Sequence, residues 1–417
     1  MEWIADTPLP LRYLVLAIIG LIAGSFANYL IYSWAYFPRH ISPWAPPHPQ
    51  SPPRRAADRL PAIGWWGLRR ESALHGAGFW IRPLLIELGC AIALPLMYGF
   101  YTQSGGLLPT KFRDPASIAF FSSWAHSLFV VHGLLFVLMV AATFIDFDEQ
   151  TIPDIITLPG TLLALILATL PWKTFLPARV TETAMAETMF HIPWPYDPQW
   201  SGGQGLALGL AIWAVWIFSL TDRHLVLRHG LSRAIGYLIH GIRRRPASKW
   251  LLVLGVIGVC ALVAVWSWGG RDAWRGLLTA LVGLAVGGGT VWAVRIVAGV
   301  AMGQEAMGFG DVTLMAMIGA FVGWQAAIAG FFLAPICAIV IVLIQFAVTR
   351  QRAVPFGPYL CIGTIIAVLS WNVVWNEALV IYVELGAVVV WILIAALVAM
   401  GVMLIVWGRI KRALFAA

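Results

Sequence analysis

The sequence predicts an all-α, polytopic integral membrane protein. Three observations predict it. Of 417 residues, 60% are hydrophobic and only 11% charged, against roughly 25% charged in a soluble domain. Apolar stretches of about 20 residues, the length that crosses a bilayer core as a helix, recur from end to end. The basic residues gather in the segments between them.

About eleven spans are expected, over residues 12–36, 83–103, 121–146, 154–171, 202–221, 250–268, 276–299, 311–324, 326–348, 358–374 and 379–408. The first apolar run, Tyr13–Tyr36, is too long for a cleavable signal and lacks a basic segment before it. Between the first two spans, Pro38–Pro53 is proline-rich without apolar periodicity, which predicts an extended or disordered stretch. Arg59–Arg82 sets Trp65, Trp66, Phe79 and Trp80 among arginines, as in a small folded or interfacial element. Residues 172–201 form a loop containing Pro193-Trp194-Pro195-Tyr196, suited to the interfacial aromatic belt. The basic loop 222–249 contains Leu231–Ile242, patterned as a surface helix. Gly283 and Gly287 stand four apart in the seventh span, the spacing that lets helices approach closely. The eighth run is too short, at about 1.5 Å per residue, to cross a core of about 30 Å. It must tilt, start below the interface or be re-entrant.

The net charge of +8 is a matter of topology. With the N-terminus outside and the spans alternating, 20 of the 27 Lys and Arg fall on the inner side. The positive-inside rule therefore predicts an outer N-terminus and an inner C-terminus. Basic inner loops also suit anionic lipid headgroups. Nucleic acid is not an expected partner, since no aromatic-interleaved basic domain exists. Cys90, Cys260, Cys337 and Cys361 lie in four different spans without a Cys-x-x-Cys pair, so no zinc cluster or disulfide framework is expected.

Acids at membrane depth are costly and mark functional sites. Asp146 closes the apolar run Phe129–Ile145, within Phe144-Ile145-Asp146-Phe147-Asp148-Glu149-Gln150-Thr151-Ile152-Pro153-Asp154. An ordinary acidic turn, with Asp154 capping the next span, would also account for this segment. Asp146 differs in being still attached to the apolar helix, whereas Asp148 and Glu149 are expected to be hydrated. Asp311 ends Gly308-Phe309-Gly310-Asp311 and opens Val312–Trp324. Glycines allow close approach of another chain, and non-helical backbone at this depth must be buried or face a water-filled cavity. A loop turn plus helix cap is the plainer alternative. Taken together, two such carboxyls can share one proton and activate one water, titrating as a unit. Glu87, near the inner end of the second span, is expected to snorkel, to pair with a basic loop residue or to meet a substrate. His126 and His132, six apart on one helix, face opposite ways and suit packing better than a metal pair.

At these residues the chain resembles a family. Phe144–Asp154 and Gly303–Trp324 look like the two signature segments of bacterial type IV prepilin peptidases, Gly-x-Gly-Asp intramembrane aspartyl proteases. Gly24–Asn28, Asp58–Pro61, Trp65–Arg70, Pro83–Leu88 and Val354–Tyr359 resemble further blocks of the same family. The resemblance implies catalytic Asp146 and Asp311, a site shaped by Gly308 and Gly310, and substrate or supporting contacts from Asp148, Glu87, Pro153, Asp154 and Thr313. It implies no cofactor for the peptidase, and S-adenosylmethionine only if the family's second activity, N-methylation of the new N-terminus, is retained. Three departures bear on this. The first loop lacks the family's usual two Cys-x-x-Cys pairs, which leaves methylation open. The 165 positions between Asp146 and Asp311 exceed the usual number, but the two extra spans return Asp311 to the same face. Thr313 stands where many members have lysine.

The resemblance divides the chain into a first span (1–37), a cytoplasmic loop region (38–82), two halves of a peptidase core (83–171 and 271–375), an inserted region (172–270) and a C-terminal span (376–417). The expected function is removal of a short basic leader from prepilin or pseudopilin precursors at the cytoplasmic face of the bacterial inner membrane. A proton-coupled transporter or channel and a non-catalytic pilin-binding relative are the alternatives.

Overall fold

The computed structural model describes residues 7–180, 184–191, 197–220, 246–303, 307–349, 355–379 and 387–415. The expected surface helix Leu231–Ile242 and the Pro193–Tyr196 segment lie outside the described residues. Ten longer helices follow one another: α1 (Leu9–Ser33), α2 (Ile81–Thr102), α3 (Ser122–Glu149), α4 (Asp154–Leu167), α5 (Gly203–Ser219), α6 (Pro246–Trp268), α7 (Gly270–Met302), α8 (Phe309–Thr349), α9 (Gly357–Leu369) and α10 (Ala387–Phe415). Among the described residues six helices are long and apolar enough to cross a membrane, or seven if the bent pair Gly357–Leu369 and Trp371–Glu377 is one span. The chain is thus an all-α polytopic membrane protein, with fewer full-length spans among the described residues than the eleven expected. Several predicted spans are short helices: α4 has 14 residues and α9 has 13.

The predicted eighth and ninth spans form one element, α8, broken at Gly323 (φ 81, ψ 165). The chain reverses there. Trp324 and Gln325 donate to Phe190 O and Met189 O (3.1 and 2.8 Å) at the far end of the bundle, whereas Ala334 packs on Gly363, midway along α9. A left-handed φ is what glycine tolerates and other residues do not. Before the break, α8 lies against α7 backbone to backbone. A Cβ on Gly283 would fall 2.0 Å from Gly319 O, so the small residues of the seventh span do permit close approach.

In the first loop, residues 38–53 form no helix or strand, in keeping with the extended stretch expected there, and lie against the rest of the loop. Arg54 donates to the carbonyls of His40, Ser42 and Ala45 and pairs with Glu71, which also meets His75. Arg70 pairs with Asp58, and its hydrogen bonds hold that carboxyl below the usual range. Glu87 neither snorkels nor finds a cation. It is 1% exposed and accepts from Trp65 Nε1 (2.8 Å), Asn28 Nδ2 (3.2 Å) and the Ala62 amide, tying α1, α2 and the loop together. Glu87→Ala strips three donors of their acceptor, at about 1–3 kcal/mol for each one left buried and unpaired. The expected result is a lower melting temperature in detergent and faster tryptic cutting between Arg54 and Arg70.

The far end is closed by a hairpin, β1 (Pro177–Arg179) against β2 (Met185–Glu187), antiparallel. Indole N–H groups of Trp124 and Trp371 donate to Phe175 O and Pro177 O. Glu187 accepts from the Thr174 and Phe175 amides (2.7 and 2.8 Å). Burial pushes its pKa up to about 7, with Lys173 and Asp272 as nearby charges. A raised value favours the protonated form, so stability is fully present below the unfolded carboxyl pKa and is lost as pH rises through about 7. Hydrogen exchange corrected for intrinsic rates is expected to show hairpin protection at pH 5 that declines by pH 8.

Candidate active site

Three chain segments meet at the end of the bundle where α3 finishes. Asp146 lies one turn before the end of α3 and is 3% exposed. The helix runs on to Glu149 and is stopped by Gln150 in the left-handed region (φ 54, ψ 30), whose amide bonds Asp146 O at 2.9 Å. Buried Ile152 follows, then Pro153 at the N-cap of α4. Asp154 is the first residue of α4 rather than its cap, where its charge complements the helix N-terminus.

The second segment is the turn into α8. Asp311 is the third residue of that helix and 7% exposed. Gly310 lies directly on Ile152: a Cβ there would be 2.9 Å from both Ile152 N and Ile152 Cβ. Gly308 is exposed, and a Cβ on it would stand 3.6 Å from Asp311 Oδ2. Thr313 is buried, its hydroxyl donating to Gly310 O at 3.1 Å. Arg295 of α7 braces the same turn, donating from Nε to Met307 O at 2.8 Å. Its guanidinium carbon lies 5.9 Å from the Phe309 ring centroid, and its charge bears on Asp311.

The third segment is the start of α9. The Gly357 amide donates to Asp146 Oδ2 at 3.0 Å. A Cβ on Gly357 would fall 2.5 Å from that oxygen and 2.8 Å from Ile152 Cδ1. Ile152 thus touches the glycine beside each aspartate. The Asp146 carboxyl acts electrostatically on Asp311, and Cys361 of α9 lies within reach of both. The sequence offered the Val354–Tyr359 block without a role. Its usable signal was a glycine before Pro358 at a helix start, where backbone N–H groups are unspent.

The other acids are placed apart. Asp148 belongs to the last turn of α3 and keeps part of its expected hydration, with 18% of its side chain exposed, while Arg82 Nη1 lies at 2.7 Å and Arg39 Nη2 at 3.6 Å. Glu149 accepts the Tyr36 and Phe37 amides (2.9 and 2.8 Å). Glu87 is occupied in the loop network described above. His126 Nε2 meets Tyr98 Oη (3.0 Å) and His132 Nδ1 meets Tyr101 Oη (2.8 Å), so each histidine packs with its own tyrosine.

Two interacting carboxyls, flanked by glycines and a helix start, can hold one proton between them and polarise a water. Residues 244–343 match the model of the type IV leader peptidase family, a segment that contains Asp311. Among curated relatives, a prepilin leader peptidase/N-methyltransferase of Pseudomonas putida is 35% identical over 23% of this chain and 34% of its own length. That of Stutzerimonas stutzeri is 26% identical over 46% of this chain and 57% of its own. That of Dickeya chrysanthemi is 24% identical over 84% of this chain and 89% of its own. The chain therefore spans between a third and somewhat over half of the first two relatives. No solved structure matches it.

Proposed function

We propose that this chain, which belongs to the type IV leader peptidase family, is a membrane-embedded aspartyl endopeptidase acting on prepilin-like precursors, and that it methylates the N-terminus it releases. The observation that carries this reading is the meeting of Asp146 with the Gly308–Asp311 turn around Ile152. In the reaction, the ionised carboxyl of the pair takes a proton from water while the neutral one donates to the scissile carbonyl oxygen. Collapse of the tetrahedral carbon breaks the C–N bond, and the departing amine takes up a proton. The two states belong to the pair.

The substrate is a short basic leader followed by an apolar helix, cut at their junction. This suits an inner-membrane protein with its N-terminus outside and its aspartate end at the cytoplasmic face, where the basic loops also meet anionic lipid. Residues 83–171 and 271–375 supply the peptidase core, 38–82 the loop region, and 172–270 and 376–417 additions to it. The peptidase needs no cofactor; S-adenosylmethionine is the methyl donor. Arg295 provides near Asp311 a charge that Thr313 does not. Asp154 and Pro153, at the edge of the site, are the candidate substrate contacts.

Co-expression with pilin-like precursors, read by the mass of the mature N-terminus, tests both activities. Loss of the leader with one added methyl group is expected. Recovery of only full-length precursor from every candidate, alongside proton flux in proteoliposomes, would replace this reading with a transporter.

A further inference from the structure

A cavity of about 580 Å³ opens between the first loop and the adjoining ends of α1 and α2, a volume within the range of small-ligand sites, about 300–1,000 Å³. Besides Tyr32, its polar lining is Arg39, His40, His48, His75 and Arg82, and none of the residues that line it is an acid. The acids nearest to it stand behind that wall and are already engaged. Asp148 accepts from Arg82 (2.7 Å), Glu71 pairs with Arg54 and His75, and Glu149 accepts the Tyr36 and Phe37 amides. Arg39 and Arg82 thus share the one carboxylate of Asp148. Arg39, 3.6 Å from it, is beyond hydrogen-bond distance, with 54% of its side chain exposed. The Gln50 amide donates to His48 Nδ1 (3.2 Å), which leaves the ring proton on Nε2 as a further donor. Such a lining suits an anion.

Its depth is that of lipid headgroups. The end of α1 runs into Trp34, Tyr36 and Phe37, all exposed, immediately before Arg39 and His40. Exposed Trp66 packs edge-on to Trp80 (centroids 5.5 Å apart), and Arg69 lies over both rings (4.3 and 5.3 Å). Aromatic residues gathered in this way mark the boundary between hydrocarbon and water. On the apolar side of that boundary, Leu85, Ile92 and Leu96 follow Arg82 along α2 at helical spacing, and each is exposed. From Leu85 to Leu96 this strip rises about 16 Å, close to one leaflet of a core about 30 Å thick. Arg82 stands at its head.

We propose that this cavity holds the phosphodiester headgroup of one anionic phospholipid, with Arg39 and Arg82 on the phosphate and the acyl chains along the exposed strip of α2. Basic pockets between membrane helices at the headgroup level are where such lipids bind. A free phosphate would meet the same arginines but leave the strip beside them unused, whereas one lipid molecule engages both. The site also reaches the end of α3. Arg82 donates to Phe144 O (3.1 Å) and to Asp148 Oδ1, two residues to either side of Asp146. A phosphate that draws on Arg39 or Arg82 therefore bears on the turn that carries Asp146. The proposal concerns binding alone and does not rest on the peptidase reading.

The test is lipid retention by the full chain, read by native mass spectrometry from detergent micelles doped with phosphatidylglycerol or with phosphatidylcholine of the same acyl chains. One phosphatidylglycerol is expected to stay bound, preferred over phosphatidylcholine by at least about tenfold. Arg39→Gln and Arg82→Gln should each weaken that preference about fivefold, the weight of one basic side chain at an anionic surface. Arg69→Gln removes a cation outside the lining and should leave the preference unchanged. Melting temperatures establish that the variants fold, and exposed Arg39 keeps the test decisive if Arg82→Gln does not. Equal retention of the two lipids overturns the proposal. So does a preference that Arg39→Gln leaves intact, or that Arg69→Gln weakens as much. Displacement of the lipid by millimolar inorganic phosphate at constant ionic strength assigns the cavity to free phosphate and also overturns it.

Discussion

Asparagine in place of Asp146 or of Asp311 is expected to abolish leader removal, with a rate loss of at least about 10³-fold, in the range of a lost general acid or base. The amide keeps the shape of the carboxyl but can neither take a proton from water nor give one to the carbonyl oxygen. Folding should survive, since a buried carboxyl gives way to a neutral group of the same size. The double variant should lose no more than either single one, because groups acting as a unit are not additive. The ratio of precursor to mature pilin after co-expression, with detergent melting curves alongside, measures this. Wild-type processing by either single variant would remove that residue from the reaction.

The second large effect is expected at Gly357. Alanine is compatible with a helix start, so backbone strain is not the issue. Its methyl group would fall 2.5 Å from Asp146 Oδ2 and 2.8 Å from Ile152 Cδ1. Since a misplacement of about 1 Å can cost 10²-fold in rate, Gly357→Ala should slow cleavage by about that factor while the protein still folds. Gly310→Ala should be comparably damaging, because its methyl group meets the Ile152 backbone at 2.9–3.0 Å. Gly308→Ala should be far milder, at an ordinary 3.6 Å from Asp311. Gly289→Ala, with nothing within 4 Å, serves as the neutral control. Equal cleavage by the four variants would mean that the packing around Ile152 does not set the geometry of the carboxyls.

The burial of Asp146 and Asp311 was legible because a carboxyl at the edge of an apolar run is costly and is kept only where it is enclosed or paired. The same reasoning misjudged Glu87, whose cost is offset by an indole, an amide side chain and a backbone N–H from distant positions. Nothing in the sequence around Glu87 announces Trp65 as its partner. Asp148 was assigned to solvent because the apolar pattern stops at Asp146. The backbone does not stop there: α3 continues to its left-handed cap at Gln150, which brings Asp148 to Arg82 and Arg39. Gly357 was hidden because its contribution is a peptide N–H, which every residue but proline has. The shortness of the eighth span was legible from length alone, though not that the chain would reverse at Gly323.

That shortness is shared by every helix that starts at the site. Besides α4 and α9, the arm of α8 before Gly323 covers only residues 309–322. At about 1.5 Å per residue each rises about 20 Å, some 10 Å less than an average hydrocarbon core. The arm of α8 is enclosed by the rest of the bundle, whereas α4 and α9 turn Ile155, Ile166, Ile366 and Leu369 outward. A bilayer meeting those two short helices thins beside them, which lowers the aqueous face toward the level of the two carboxyls.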